Sequence, residues 1–141
     1  MSKGILRIYY GEGHGKSEAA LGSAISQMAS GKNAAVLFFD KEGWSAYERV
    51  LQKLEPELKV FYYEDRRNGF QYGKKVIVTG AYGLVVLDGL FGLVKDGVVS
   101  EEELEKLVEG IPEDMMVFCT GENVPVCMRE CANEVYRVER E

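Results

Sequence analysis

The chain has 141 residues, 46% of them hydrophobic and 28% charged, with a net charge of −6. This balance excludes a disordered chain and argues against generic binding to nucleic acid or an anionic membrane surface. No apolar run approaches the ~18 residues of a membrane span, and a chain this long buries roughly two-thirds of its unfolded surface without a disulfide or metal. The three cysteines are an odd number, and Met1 to Arg7 hold no secretion-type apolar segment. Both features read as reduced thiols in a cytoplasmic protein. No repeat, linker or low-complexity tract divides the sequence, so residues 1–141 read as one domain.

Ile5 to Tyr10 is rich in branched and aromatic residues and reads as a strand. A glycine-rich turn follows, Gly11 to Gly15. From Lys16 to Ser30, Ala20, Leu21, Ala24, Ile25 and Met28 recur at helical spacing, and Gly31 supplies the stop. Ala34 to Phe39 is a second buried strand. Ser45 to Leu54 reads as a helix closed by Pro56, and Leu58 to Tyr63 as a third strand. The polar, glycine-containing stretch from Tyr63 to Lys75 reads as loop, with a short strand over Val76 to Val78. Leu84 to Leu87 is a strand buried on both faces and ending at Asp88. Ser100 with Glu103 three residues on is a capping-box pattern, opening a helix that Pro112 ends. Met115 to Cys119 is another buried strand, Pro125 to Ala132 a short helix, and Glu134 to Val138 a last strand. Alternating strands and helices predict an α/β fold, a mostly parallel sheet between two helical layers. Ligands of such sheets bind at the carboxyl ends of the strands.

Most of the functional information lies in Gly11-Glu12-Gly13-His14-Gly15-Lys16-Ser17. The segment leaves a strand and enters a helix, the setting a phosphate-binding loop requires. Its glycines allow successive N–H groups to converge on one point. The helix N-terminus adds partial positive charge. Lys16 brings a cation to the outer phosphates, and the Ser17 hydroxyl can ligate magnesium. Tyr10 stands where the first glycine of the usual G-x-x-x-x-G-K-[ST] pattern would be, so this loop is shorter by one residue. His14, the one histidine, reads either as a donor to the ligand or as an exposed loop residue. Glu12 and Glu18 weaken the attraction for a polyphosphate unless they point outward or face the metal.

The run Leu84-Val85-Val86-Leu87-Asp88 ends a buried strand in a carboxylate that can hold magnesium directly or through water. Gly89 follows where nucleotide hydrolases often carry a second carboxylate, so no base to activate water is evident.

These segments, taken in order, resemble the P-loop ATP:corrinoid adenosyltransferases. Tyr10 to Ser17 with Ala19-Ala20-Leu21-Gly22 is similar to that family's short phosphate loop and first helix. Val36 to Lys41 is similar to its second strand, which ends in a lysine. Gly69-Phe70-Gln71-Tyr72 is similar to its glycine-phenylalanine-threonine-tryptophan segment. Leu84 to Asp88 resembles its acidic strand, and Val117 to Pro125 its threonine-glycine-arginine-asparagine-alanine-proline turn. Ala132 to Glu139 resembles its final strand. The resemblance implies a three-layer P-loop NTPase-like fold, a homodimer, and transfer of the 5′-deoxyadenosyl group of ATP to the cobalt of a reduced corrinoid with magnesium as cofactor. It implies that Gly11, Glu12, Gly13, His14, Gly15, Lys16, Ser17 and Lys41 bind the nucleotide, and that Ser17 and Asp88 serve the metal. Lys16 would neutralise the leaving triphosphate, while Phe70 and Tyr72 would crowd the lower face of the corrin.

Four departures from the family pattern stand out. Glu18 replaces its second threonine, Gly89 its magnesium-serving glutamate, and Glu122 its turn arginine; only Gly73 to Gly83 separates Tyr72 from Leu84. A catalytically impaired ATP-binding module of the same family is therefore an alternative reading, and a P-loop hydrolase or kinase a weaker one. Elsewhere, Cys127 and Cys131 share one helical face and read as core packing, since no further ligand completes a zinc site. Glu101 to Glu103 suit the first turn of a helix. Arg66 and Arg67 read as surface residues before phosphate ligands, and Trp44 and Tyr47 as lining of the cleft or of an oligomer contact.

Overall fold

Segments such as AAVLF and the LVVL of LVVLD are continuous apolar runs, a pattern that suits strands covered on both faces. The computed structural model of the chain, which describes residues 4–12 and 15–141, pairs them accordingly. Strands β1 (Ile5–Tyr10), β2 (Ala34–Phe38), β3 (Leu58–Tyr62), β4 (Leu84–Asp88), β5 (Met116–Gly121) and β6 (Glu134–Arg137) form one six-stranded sheet in the order β3-β2-β4-β5-β1-β6. Every pairing is parallel. The expectation of a mostly parallel sheet is met in full.

Alternate residues of each strand feed two separate cores. Leu6, Ile8, Leu37, Leu87 and Val117 face one side, under helices α3 (Arg66–Thr79), α4 (Leu90–Lys95), α5 (Glu101–Glu109) and α6 (Val126–Cys131). Val36, Phe38, Val86 and Phe118 face the other, under α1 (Lys16–Met28) and α2 (Lys41–Leu51). A short 3₁₀ turn, Gln52–Leu54, continues α2. Helix α2 starts before Ser45 because the Asp40 side chain caps it, accepting from the Gly43 N–H. The capping box at Ser100 is present, with both Ser100 and Glu103 side chains engaged.

The stretch from Tyr63 to Lys75 is not a loop, and Val76 to Val78 is not a strand. Both belong to α3, whose N-terminal amides at Arg67 and Asn68 are capped by the Asp65 carboxylate. The apolar face of α3 is Phe70, Gly73, Val76 and Ile77, a 3-4 spacing diluted by the polar residues between. Gly73 brings the helix onto the sheet: a Cβ there would meet Leu37 Cδ2 at 3.0 Å. The guanidinium of Arg66 pairs with Asp96 at 2.7 Å and that of Arg67 with Glu103 at 2.5 Å. These two arginines tie the head of α3 to the α4–α5 region, in keeping with a surface role.

Cys119 is buried, Cys127 is half-buried against the core and Cys131 is exposed, all as free thiols. Trp44 stacks on Tyr62 with ring centroids 5.0 Å apart, and Tyr47 stacks on Phe38 at 6.1 Å. No helix among the described residues is long and apolar enough to cross a membrane.

Phe70 is fully buried, so Phe70→Ala should lower the unfolding free energy by about 3–5 kcal/mol in urea titrations. The Arg67 guanidinium holds the Glu103 carboxyl down at about 2, against an ordinary value of 4.5. A depressed carboxyl stabilises the fold above 4.5 and loses that contribution as pH falls toward 2. Thermal melts over this window should fall less steeply in Glu103→Gln than in the natural chain.

Candidate functional site

The site is built where β1, β4 and β5 end. Beyond β1 the chain turns at Gly11, whose φ is 140° and whose N–H donates to the Gly121 carbonyl at 3.2 Å. A Cβ at Gly11 would lie 2.2 Å from the Val138 carbonyl oxygen, so only glycine fits under the closing segment of the chain. Gly15 caps α1 from the left-handed region, with φ 109°. Gly13 and His14 lie outside the described residues. Both described glycines of the loop therefore lie at positive φ, a backbone region that glycine adopts without cost, and α1 begins directly after the second.

Ser17, in the first turn of α1, donates from Oγ to Asp88 Oδ1 at 2.7 Å. Thr120, near the end of β5, donates to the same oxygen at 3.0 Å and accepts the Gly89 N–H at 2.9 Å. Asp88 is only 3% exposed. Burial pushes its carboxyl above the usual carboxylate range; the Ser17 and Thr120 hydrogen bonds and the charge of Lys16 pull it back, while Asp40 adds to the rise. The parallel register explains the meeting of these groups: Phe38 is opposite Asp88 and Leu87 opposite Cys119, so residues just past each strand end converge.

A cleft of about 900 Å³ opens above this head, lined by Lys16, Glu12, Asp40, Phe91, Glu122 and Asn123 among others. A second, of about 560 Å³, borders Tyr10, Gly11 and Glu12 on one side and Arg137 and Arg140 on the other. Glu18 accepts the Tyr47 hydroxyl of α2; burial and this bond push the Tyr47 phenol up to about 12.

The structure brings Gly11, Glu12, Gly15, Lys16, Ser17 and Asp88 together, but three other residues stand elsewhere. Lys41 is exposed at the start of α2, outside the lining of either cleft. Phe70 has 0% exposure and packs in the core. Tyr72 packs on Phe61 and Tyr63, with centroids 5.0 and 5.3 Å away. The resemblance of Gly69 to Tyr72 to the family segment implied a place for the aromatic pair at the corrin; in this fold the segment is part of α3, and Phe70 takes its inward face. The aromatic ring that does border the large cleft is Phe91 of α4, in a helix that Gly89 begins at φ 85°. Sequence reasoning missed Phe91, and also Arg137, which ends the last strand, and Arg140 just beyond it, neither in a motif. Asp40 was passed over as the residue before Lys41.

Residues 2–141 match the family described as ATP:corrinoid adenosyltransferase BtuR/CobO/CobP. The chain belongs to this family. It is 31% identical over 135 residues to the corrinoid adenosyltransferase CobA of Salmonella typhimurium, covering 84% of this chain and 68% of that one. It is 28% identical over 149 residues to the corrinoid adenosyltransferase of Escherichia coli K12, covering 94% of this chain and 75% of the other. Among solved structures it is similar to the flagellar accessory protein FlaH of Methanocaldococcus jannaschii, with a TM-score of 0.67 and 16% identity over 99% of this chain and 73% of that one. That likeness concerns the fold alone, the three-layer P-loop NTPase-like arrangement expected from the sequence.

Gly11→Ala, which drives a methyl group into the Val138 carbonyl, should lower stability by about 1–3 kcal/mol in urea titrations. A natural-like midpoint would contradict the close approach described here.

Proposed function

We propose that this chain is a magnesium-dependent enzyme transferring the 5′-deoxyadenosyl group of ATP to the cobalt of a reduced corrinoid. The observation that carries the reading is the Ser17–Asp88–Thr120 head beneath a left-handed glycine turn, in a chain matched to this family over residues 2–141. In the reaction the low-valent cobalt, part of the substrate, attacks C5′ of ATP; the C5′–O bond breaks and triphosphate leaves with the bond's electron pair. The protein supplies no nucleophile. Its work is positioning and charge stabilisation.

In this reading the amides of Gly11 to Ser17, with Gly13 and His14 completing the loop, hold the triphosphate, and Lys16 neutralises charge as it departs. The donor set fits magnesium: Ser17 and Asp88 offer hard oxygens. In this reading the ion takes most of its ligands from phosphates and water. Bound there, magnesium would screen the triphosphate. Asp88 would hold the Ser17 hydroxyl on its side, and Thr120 would keep Asp88 from swinging away. The large cleft, with Phe91, Val94, Val124 and Pro125 on its walls, offers an apolar side to the corrin ring. A homodimer working in the cytoplasm, binding neither nucleic acid nor membrane, completes the reading.

Glu122 in place of an arginine and Gly89 in place of a glutamate favour a second reading, a nucleotide-binding module without transferase activity. One assay separates the two. Under anaerobic conditions with reduced cobalamin, ATP and magnesium, the enzyme consumes the reduced-cobalt absorbance, and Lys16→Ala slows this by about 10²–10³-fold. Tight ATP binding with no loss of that absorbance would establish the module instead.

A further inference from the structure

Strand β4 ends in Asp88 and continues with glycine, so it carries one carboxylate where the family resemblance implies two. We infer that Asp40, from the neighbouring strand end, supplies the second carboxylate to the magnesium ion of the bound nucleotide. The inference rests on the reading that nucleotide and magnesium occupy the loop. The parallel register puts Phe38 opposite Asp88, and the Phe39 N–H donates to the Asp88 carbonyl at 3.1 Å. The two strand exits therefore leave side by side. A Cβ built on Gly89 would stand 3.0 Å from Asp40 Oδ2: the carboxylate of residue 40 occupies the space in which a side chain on residue 89 would begin. A Cβ on Gly43 would stand 3.1 Å from Asp40 Oδ1 and 3.1 Å from Asp88 Oδ2. The two carboxylates thus flank a gap that two glycines leave open.

Their settings divide the work. Asp88 is buried, and its Oδ1 takes both the Ser17 and the Thr120 hydroxyls. Asp40 is exposed and lines the large cleft together with Lys16. Of the two, Asp40 is the carboxylate open to a ligand entering from the cleft. Divalent magnesium bound through phosphates commonly takes one or two carboxylates from the protein, which is what this pair offers.

Asp40 also caps α2, through Oδ1 and the Gly43 N–H at 2.6 Å, so a test must separate cap from ligand. Asparagine and serine both cap helices well but carry no charge. Calorimetric titration of the full chain with ATP, once in magnesium and once in EDTA, reads the difference. Asp40→Asn and Asp40→Ser should each weaken ATP binding at least 10-fold in magnesium, leave binding in EDTA equal or tighter, and keep the thermal midpoint of the natural chain. If both variants bind ATP in magnesium as the natural chain does, or weaken it equally in EDTA, Asp40 is a cap only and the inference is overturned while the nucleotide reading stands. If the natural chain itself binds no ATP in either medium, the nucleotide reading falls and this inference with it.

Discussion

A carboxylate cannot sit in a protein interior without donors, and Asp88 sits there on two. That constraint organises the molecule. The hydroxyl of Ser17 reaches Asp88 only if α1 begins directly above the end of β4, although β5 lies between β1 and β4. The hydroxyl of Thr120 reaches it from β5 and also takes the Gly89 N–H, so one side chain fixes the exit of β4 and orients its carboxylate. Three segments distant in sequence are thereby locked into one head, and the phosphate-type loop runs from β1 into one of them, α1. The close approach of Gly11 to Val138 clamps the other end of that loop.

The sheet was legible because a strand covered on both faces reads as a continuous apolar run, and β2, β4 and β5 do so up to the polar residues Asp88 and Thr120 near the ends of the last two. Helix α3 was not, for an equally physical reason. It carries glycines at 69 and 73 and lysines at 74 and 75, which lower helix propensity or break the visible apolar stripe. Gly73 is there to admit Leu37 of the sheet, a tertiary demand that no local window contains. The signals that remained were Asp65 as cap and the spacing of Phe70, Val76 and Ile77. The family resemblance implied a corrin-facing role for Phe70 and Tyr72; the fold packs Phe70 in the core and Tyr72 on Phe61 and Tyr63.

The candidate site was legible as far as local order reaches. Gly11, Gly15, Lys16 and Ser17 are contiguous, and Asp88 ends a recognisable strand. Asp40, Phe91, Arg137 and Arg140 became visible only through register and connectivity, since each borders a cleft by virtue of the strand it ends or follows. The same logic recasts the departures at Gly89 and Glu18. At residue 89 the space is held by a carboxylate from β2's exit. Glu18, in the first turn of α1, is engaged by the Tyr47 hydroxyl of α2.

The central claim is that the loop over Asp88 is a receptacle for the triphosphate of ATP with its metal. A crystal structure of the chain grown with ATP and magnesium tests it most directly. The account predicts triphosphate density against the amides of residues 11 to 17, with the metal on Ser17 Oγ and the carboxylate side of the cleft. Nucleotide bound elsewhere, or a loop empty at saturating ATP while Ser17 still donates to Asp88, would contradict it.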